Sequence, residues 1–289
     1  FRGKFDVIID EVHGLPFFTP WYVKEKKVVL ICEVAGDLWV KMFGVFFGLL
    51  GRVIERIYLQ VVYKNIPYLT ISNSTKEELI KEGVNGKDIT VLPMGLTIPQ
   101  NFKRVEKEKD PTLIFVGRLS KSKGVEDAIL ALKKISRDIL QIKLWIVGRG
   151  DKKYTKYLNK LVQKFKIKNK IIFFGFVDEE KKFELMSRAH ILLAPSSKEG
   201  WGLIVPEAGF MGAPSVGYNV PGIREVIQDE KTGYLTSNNN PDELIRNIKK
   251  ILKDKDIYEK MSRAAKKLSL SYNWNNTAEI ALKVIKESL

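Results

Sequence analysis

A chain of 289 residues, 45% of them hydrophobic and 29% charged, is long enough for two ordinary domains and too apolar to be a disordered protein. Its single cysteine, Cys32, excludes a disulfide framework and a cysteine-based zinc cluster within one chain, and favours a reducing, cytoplasmic compartment. The 49 lysine and arginine residues outnumber the 34 aspartate and glutamate residues, and the net charge of +15 favours nucleic acid, anionic lipid or phosphorylated small molecules as partners.

The first hundred residues have the pattern of part of an α/β domain. Apolar runs predict strands at residues 5–9, 28–31, 68–71 and 89–92, with a long helical region over residues 38–65. This is short for a complete domain, and the chain begins at Phe1 without an initiator methionine or a leader pattern. We therefore predict a partial N-terminal Rossmann-like acceptor domain at residues 1–105, lacking its first part. The Lys- and Glu-rich residues 100–110 predict the interdomain linker.

Residues 38–50 are the longest apolar stretch of the chain, and 13 residues are too few to span a bilayer. The aromatic residues of this stretch, with basic Lys41 and Arg52, suit an interfacial membrane contact or a contact with a lipid acceptor. A buried helix packed on the N-terminal sheet accounts for the same pattern equally well. The sequence leaves both interpretations open.

Residues 106–270 predict a second, complete α/β domain. Continuous apolar strands alternate with amphipathic helices, as in a doubly wound parallel sheet covered on both faces. Four predicted strands end in glycine, which suits a sharp turn from a strand tip into a helix. The predicted strands are residues 112–117, 143–148, 171–175, 191–194, 215–217 and 233–236, and the predicted helices are residues 125–136, 154–165, 179–189 and 203–211. Residues 271–289 predict a C-terminal helix that packs back towards the N-terminal domain.

Two glutamates follow the predicted strand at residues 191–194. Glu199 lies in a glycine-bearing loop, and Glu207 lies about one turn inside the helix that starts near Leu203. The start of that helix, entered through Gly202, offers free N–H groups and a positive dipole end to an anion. A carboxylate beside such a site is useful if it binds sugar or ribose hydroxyls. An ordinary strand–loop–helix junction with a solvated glutamate explains the same residues.

A second motif, Gly117-Arg118 with Lys123, follows the first strand of the same domain. Ligands of open α/β sheets bind at this carboxyl edge, where arginine grips a phosphate in a fork and lysine adds a point charge. Surface charge in a lysine-rich protein is the alternative explanation. The sequence contains no Walker pattern, and residues 148–150 (Gly-Arg-Gly) are only a fragment of the dinucleotide fingerprint.

Together these segments resemble family 4 of the retaining glycosyltransferases, which have the GT-B fold of two Rossmann-like domains facing a cleft. The resemblance covers nearly the whole chain and is densest from residue 110 to 240. It is carried by residues 72–77, 89–95, 117–119, 123–124, 175–177, 194–196, 199–207, 221–225 and 232–235.

The resemblance implies transfer of a sugar from a nucleotide diphosphate sugar, UDP- or GDP-linked, to a sugar, lipid-linked or polysaccharide acceptor. It implies retention of the anomeric configuration, no metal site and no resident cofactor. Arg118 and Lys123 would hold the donor diphosphate and neutralise the leaving group, Glu207 would bind the ribose hydroxyls, and Glu199 would contact the transferred sugar. The remaining donor contacts would come from Gly117, Val177, Asp178, Gly202 and Leu203.

The acceptor side departs from the family pattern. His13 follows the first strand and is a candidate catalytic residue facing the cleft, with Glu33 and Asp37 as further candidate acceptor contacts. Many family members have a histidine after the next strand, where this chain has Cys32. The family's N-terminal glycine-rich loop, which reaches the donor phosphates, is absent from the sequence. Either that loop precedes residue 1 or the chain is not catalytically complete.

Two other function classes fit the sequence less well. A nucleic-acid-binding or anionic-membrane-binding α/β protein without transferase activity would use the basic surface, but the sequence has no nucleic-acid motif and we expect no nucleic-acid partner. A nicotinamide-dependent oxidoreductase would need a complete glycine fingerprint and an acidic residue on the next strand, and neither is evident. The sequence favours a cytoplasmic transferase and allows a peripheral contact with the membrane.

Overall fold

The computed structural model describes residues 3–100 and 105–289. The first two residues, and residues 101–104 of the predicted linker, lie outside the described residues. The chain forms two compact units, one made of the residues up to Gly95 with Asn273–Leu289 and the other of Leu96–Tyr272. The division after Gly95 precedes the boundary that we predicted at residue 105.

The first unit contains a parallel sheet of four strands in the order β1-β2-β3-β4. Neighbouring residues Val28 and Val29 are fully buried against different clusters, so both faces of the sheet are covered. The strands are Val7–Glu11 (β1), Lys26–Ile31 (β2), Tyr68–Thr70 (β3) and Ile89–Val91 (β4). The helices between them are Leu38–Ile57 (α1) and Asn73–Lys81 (α2).

Helix α1 is interrupted at Gly44, whose φ of 77° and ψ of 177° are not helical. After Ile57 the chain continues through a π-helical turn, Tyr58–Val62, which packs into the core with Tyr63 and Tyr68. No helix within residues 3–100 and 105–289 is long and apolar enough to cross a bilayer.

The second unit contains a parallel sheet of six strands in the order β10-β9-β8-β5-β6-β7. The strands are Thr112–Val116 (β5), Lys143–Val147 (β6), Ile171–Gly175 (β7), Ile191–Ala194 (β8), Ser215–Gly217 (β9) and Gly233–Leu235 (β10). The helices are Val125–Ile135 (α3), Lys152–Phe165 (α4), Glu179–Arg188 (α5), Ile204–Phe210 (α6), Ile223–Val226 (α7), Pro241–Lys253 (α8) and Lys255–Ser269 (α9). The predicted doubly wound parallel fold is therefore confirmed.

The strand order of the second unit places a topological switch point between β5 and β8. These two strands are neighbours in the sheet, but the chain moves outward from them in opposite directions. Leu113, Ile114, Leu192 and Leu193 on these strands are fully buried, and each such side chain contributes about 1.5–3 kcal/mol through burial. This rigid centre holds the two loops that follow β5 and β8 at one edge, where ligands of open α/β sheets bind.

The last helix, Trp274–Glu287 (α10), belongs to the first unit. Asn273 caps its N-terminus by accepting a hydrogen bond from the Asn275 N–H group, and the Thr277 hydroxyl donates to the Pro93 carbonyl. The apolar side of α10 packs on the sheet of the first unit, with Ile280, Ala281, Val284 and Ile285 against Val28, Leu69 and Leu92.

Candidate functional site

The two loops at the switch point, residues 117–124 after β5 and 195–203 after β8, form what we call the switch-point site. The Ser197 N–H group donates to the Ser122 carbonyl at 2.8 Å, so the backbones of the two loops are directly joined. Gly124 allows this close approach, since a methyl group at its Cα would lie 2.0 Å from the Pro195 carbonyl oxygen. Its φ of 70° is also a conformation that favours glycine.

Lys123 and Glu199 contact each other across the switch-point site. The Lys123 Nζ atom lies 2.6 Å from Glu199 Oε1, and the Ser196 hydroxyl donates to the same oxygen at 2.7 Å. The two charged side chains are exposed by only 24% and 14%. A charge-assisted pair in this partly buried setting is held in one geometry, so the loops present a cation and a carboxylate at a fixed separation.

The predicted motif at residues 221–225 supports the backbone of Glu199. The Glu199 N–H group donates to the Pro221 carbonyl at 3.3 Å. Gly222 lies so close that a methyl group at its Cα would be 2.4 Å from the Glu199 carbonyl oxygen. The segment after β9 therefore fixes the position of the loop that carries Glu199.

Arg118 lies in the first of these loops, directly after Gly117, and its side chain is exposed. It makes no salt bridge with any residue in the described part of the chain. Gly117 donates its N–H group to the Val147 carbonyl at 2.9 Å, which anchors the loop to the end of β6. The structure thus leaves a cation available at the same sheet edge as Lys123.

Glu207 lies in α6 and is buried, with 4% of its surface exposed. Its Oε1 atom accepts a hydrogen bond from Lys182 Nζ at 2.9 Å, whereas its Oε2 atom is buried and has no hydrogen-bond partner among the described residues. Burial raises the pKa of the Glu207 carboxyl, and the neighbouring ammonium group of Lys182 opposes that rise. A buried oxygen without a donor is costly and is suited to a ligand hydroxyl.

Helix α6 begins at Ile204, one residue later than the sequence predicted. Gly202 before it has a φ of 85°, and Leu203 is 40% exposed. The backbone N–H groups of Gly202 and Leu203 have no acceptor among the residues that the structure describes. The predicted donor groups therefore exist as free N–H groups beside the loop of Glu199.

The loop after β7 contains Val177, which is half-buried, and Asp178, which is exposed. Asp178 caps α5 by accepting a hydrogen bond from the Lys181 N–H group at 2.7 Å, which gives it a structural role. The guanidinium of Arg149 lies 5.1 Å from the centre of the Phe176 ring in the same loop.

The sequence did not predict a role for Lys182, which pairs with both Glu207 and Glu179. It also assigned no role to Arg149. The contact of Lys182 with Glu207 has no local signal, because Glu207 lies on a different helix. Arg149 was visible in the glycine fragment after β6. The structure places this fragment at a basic cavity of about 550 Å³, lined by residues that include Gly148, Arg149, Gly150, Lys152, Lys156 and Gly175.

The candidate acceptor residues belong to the first unit. His13 follows β1 and is exposed, and Cys32 is half-buried, with burial raising the pKa of its thiol. Asp37 is exposed and pairs with Arg52 at 2.8 Å. No three His, Cys, Asp or Glu side chains cluster for a metal ion within the described ranges.

Comparison with known proteins identifies the family. Residues 98–268 match the family described as "Glycosyl transferases group 1". An uncharacterized glycosyltransferase of Methanocaldococcus jannaschii is 30% identical over 251 residues, which are 82% of this chain and 64% of that protein. A glycogen synthase of Mycobacterium tuberculosis is 27% identical over 241 residues, which are 82% of this chain and 58% of that protein. The chain therefore spans less than two thirds of the length of either relative.

Solved structures share the fold. The sucrose-phosphate synthase of Thermosynechococcus elongatus superposes with a TM-score of 0.81 at 19% identity, covering 98% of this chain and 73% of that one. Anabaena HepE, solved with UDP and glucose, superposes with a TM-score of 0.75 at 18% identity, covering 91% of this chain and 72% of that one. At these identities the comparison shows a common GT-B architecture of two Rossmann-like domains.

Proposed function

The chain belongs to the group 1 glycosyl transferases, and from that membership we propose that it transfers a sugar from a nucleotide diphosphate sugar to a saccharide acceptor. The observation that carries the proposal is the Lys123–Glu199 pair, which joins the two loops of the switch-point site at 2.6 Å. The first of these loops also carries Arg118, which makes no salt bridge with any residue that the structure describes. One site therefore offers cations for a diphosphate and a carboxylate for sugar hydroxyls.

We propose that Arg118 and Lys123 hold the donor diphosphate. As the bond between the anomeric carbon and the phosphate oxygen breaks, negative charge grows on the departing diphosphate. Cations at this position stabilise that charge more in the transition state than in the ground state, and Lys123 is already held in place by Glu199. They would supply the positive charge that a metal ion supplies elsewhere, so we propose a transfer without metal or resident cofactor. The free N–H groups of Gly202 and Leu203 support the same anion.

Two carboxylates would then position the rest of the donor. Glu199, oriented by Lys123 and by the Ser196 hydroxyl, would accept hydrogen bonds from the transferred sugar. Glu207 would accept from the ribose hydroxyls through Oε2, the buried oxygen that has no donor within the described chain. A hydrogen bond from a ligand hydroxyl contributes more binding free energy when the acceptor atom is already desolvated than when water must first be displaced from it.

The nucleobase would lie along the loop that contains Val177 and Asp178, close to Arg149 and Phe176. Anabaena HepE, which shares the fold, was solved with UDP and with UDP-glucose. That likeness supports a UDP-linked donor, with GDP-linked sugars as the other class to test. The donor is consumed in each turnover, so it is a substrate and not a cofactor.

We propose the retaining mechanism of family 4. The acceptor hydroxyl would attack the anomeric carbon from the face that the diphosphate leaves, the acceptor proton would pass to a diphosphate oxygen, and the nucleoside diphosphate would depart. His13, Glu33 and Cys32 remain our candidates on the acceptor side, with a lipid-linked saccharide or a polysaccharide as the acceptor. The single cysteine favours a cytoplasmic site of action.

The test is a transfer assay with UDP-, GDP- and ADP-linked sugars, with and without EDTA, followed by NMR of the anomeric proton of the product. We expect one donor class to be used, EDTA to leave the rate unchanged, and an α-linked donor to give an α-linked product. Glu199→Gln should reduce transfer. An inverted product would refute the retaining mechanism, and loss of activity in EDTA would refute the metal-independent one.

A further inference from the structure

The first turns of α1 form a short helical hairpin around Gly44. A methyl group at Gly48 would lie 2.3 Å from the Val40 Cα atom, and one at Gly51 would lie 2.7 Å from the Trp39 ring. The segment before Gly44 therefore folds back onto the segment after it, and two glycines permit the close packing. We call residues 42–47, at the turn of this hairpin, the apolar tip.

The apolar tip projects large hydrophobic side chains into solvent. Its exposed fractions are 70% for Met42, 52% for Phe43, 69% for Val45, 78% for Phe46 and 64% for Phe47. Single exposed apolar side chains are ordinary, but a contiguous cluster of this size marks a contact with another molecule or a membrane. These exposures contradict the alternative that residues 38–50 form a helix buried on the N-terminal sheet.

An exposed apolar stripe continues from the tip along the outer face of α1. Leu50, Val53, Ile57 and Val61 follow Phe46 at helical spacing and are 51%, 54%, 53% and 68% exposed. The stripe therefore extends beyond the hairpin into the π-helical turn.

The inner face of α1 is fixed by Glu55, which is 3% exposed. Its carboxylate accepts hydrogen bonds from the Ala35 N–H group at 2.9 Å, the Gly36 N–H group at 2.7 Å and Trp39 Nε1 at 3.2 Å. This network holds the Glu55 side of the helix inward, and the apolar stripe on the other side faces outward.

The charges around the stripe favour an anionic partner. Between residues 38 and 62 the only carboxylate is Glu55, which is buried, whereas Arg52 and Arg56 are exposed. Arg52 pairs with exposed Asp37 at 2.8 Å, and Arg56 lies 3.8 Å from Glu82. Surface pairs of this kind are weak and give way to other anions.

We propose that the apolar tip inserts into the interfacial layer of a membrane that contains anionic lipid, with Arg52 and Arg56 at the level of the headgroups. At the helical rise, these arginines lie roughly 9 Å and 15 Å along the axis from Phe46, and interfacial helices bury their apolar face by about 5–10 Å. Clustered aromatic residues beside basic ones suit that layer. A protein partner would be expected to meet a rim of mixed polar groups, whereas the tip itself, residues 42–47, consists of apolar residues and one glycine.

The test is flotation with vesicles of phosphatidylcholine alone and of phosphatidylcholine mixed with phosphatidylglycerol. We expect the wild-type chain to float with the mixed vesicles. Phe46→Ser should weaken that binding by about tenfold, because a buried phenylalanine is lost. Arg52→Gln with Arg56→Gln should weaken binding to mixed vesicles by about thirtyfold and leave the weak binding to neutral vesicles unchanged. Leu140→Ser, at a residue 68% exposed on the second unit, is the matched control and should bind as wild type.

A gain-of-signal variant keeps the test independent of folding defects. With Phe46→Trp, addition of mixed vesicles should shift the tryptophan emission to the blue, and brominated acyl chains should quench it; Leu140→Trp should show neither change. Absence of wild-type flotation, or flotation that Phe46→Ser leaves unchanged, would overturn the proposal. So would a dimer in the absence of lipid that Phe46→Ser converts to a monomer, because the occupant of the tip would then be a second copy. None of these readouts requires donor binding or transfer, so the proposed function can fail without affecting this test.

Discussion

Lys123 Nζ lies 2.6 Å from Glu199 Oε1, although the two residues follow different strands, β5 and β8. The contact exists because the sheet order makes these strands neighbours and Gly124 lets their loops touch. Lys123 therefore has two roles in our account, since it orients a carboxylate for the sugar and carries positive charge for the diphosphate. A site whose groups are oriented before the donor arrives needs no reorganisation during the reaction.

Replacement of Lys123 by glutamine should reduce kcat/KM for the donor by about tenfold to a hundredfold, the range expected for loss of a hydrogen bond to a charged group. The matched control is Lys121→Gln, which removes an exposed charge from the same turn. Steady-state kinetics with the preferred donor measure kcat/KM for both variants and the wild type. Equal reductions of kcat/KM in the two variants would show that the net charge of the loop matters and the position of Lys123 does not.

Replacement of Glu207 by glutamine should weaken donor binding by about tenfold, because an amide oxygen accepts from ribose hydroxyls less strongly than a carboxylate does. Stability should change little, since the amide oxygen still accepts a hydrogen bond from Lys182. A donor that lacks the ribose hydroxyls should bind wild type and variant equally in a double-mutant cycle. Glu179→Gln removes the other, 69% exposed partner of Lys182 and is the control. If the losses in binding free energy from Glu207→Gln and from removal of the ribose hydroxyls were additive, the proposed contact between Glu207 and the ribose would be wrong.

Gly124→Ala should destabilise the protein by at least about 2 kcal/mol more than Gly175→Ala does. Both glycines have a φ of 70°, but no atom lies within 4 Å of a methyl group at Gly175, whereas one at Gly124 would meet the Pro195 carbonyl oxygen. Gly175→Ala should therefore cost only the left-handed backbone penalty of about 1–2 kcal/mol. Chemical denaturation of both variants measures the difference. Equal losses would mean that the loops at the switch point separate easily.

His190 should make stability depend on acid. Its Nδ1 atom accepts a hydrogen bond from the Thr112 N–H group at 3.1 Å, and burial lowers the pKa of the imidazole from 6.5 to about 4. Between these values the unfolded chain binds a proton that the folded chain does not. The contribution of His190 to the free energy of unfolding should then be constant above about pH 6.5 and fall by roughly 2 kcal/mol towards pH 4, after allowance for the partial exposure of the ring.

His190→Asn is the control for this pH effect, because its side-chain oxygen can still accept the hydrogen bond from Thr112 and does not titrate. Its unfolding free energy should lack the part of the acid slope that His190 contributes. Identical slopes for wild type and variant, measured by denaturation at several pH values, would assign the acid sensitivity to other groups.

Much of the second unit could be predicted because its strands are short, continuous apolar runs. The bounds of β7, β8 and β9 agree with the sequence prediction residue for residue. The sequence also placed Lys123 and Glu199 at one edge, since carboxyl ends of parallel strands meet there. Their direct contact could not be predicted, because it depends on how closely the backbones approach at Gly124 and Pro195.

The features that the sequence did not predict arise from tertiary packing. Helical periodicity predicted one continuous region over residues 38–65 despite Gly44, Gly48 and Gly51, because each glycine within a helix costs only about 1 kcal/mol. The break at Gly44 accompanies the packing of Trp39 on Gly51, a tertiary contact that no local pattern encodes. Lys182 was missed for the same reason, since its contact with Glu207 joins two helices.

The most direct measurement of the central claim is calorimetric titration of the chain with UDP, GDP and ADP and with the matching nucleoside monophosphates. Our account predicts that one diphosphate binds more tightly than its monophosphate, and that Arg118→Gln combined with Lys123→Gln removes that difference. Equal affinity of the wild-type chain for the diphosphate and the monophosphate, or a preference that survives in the double variant, would contradict it.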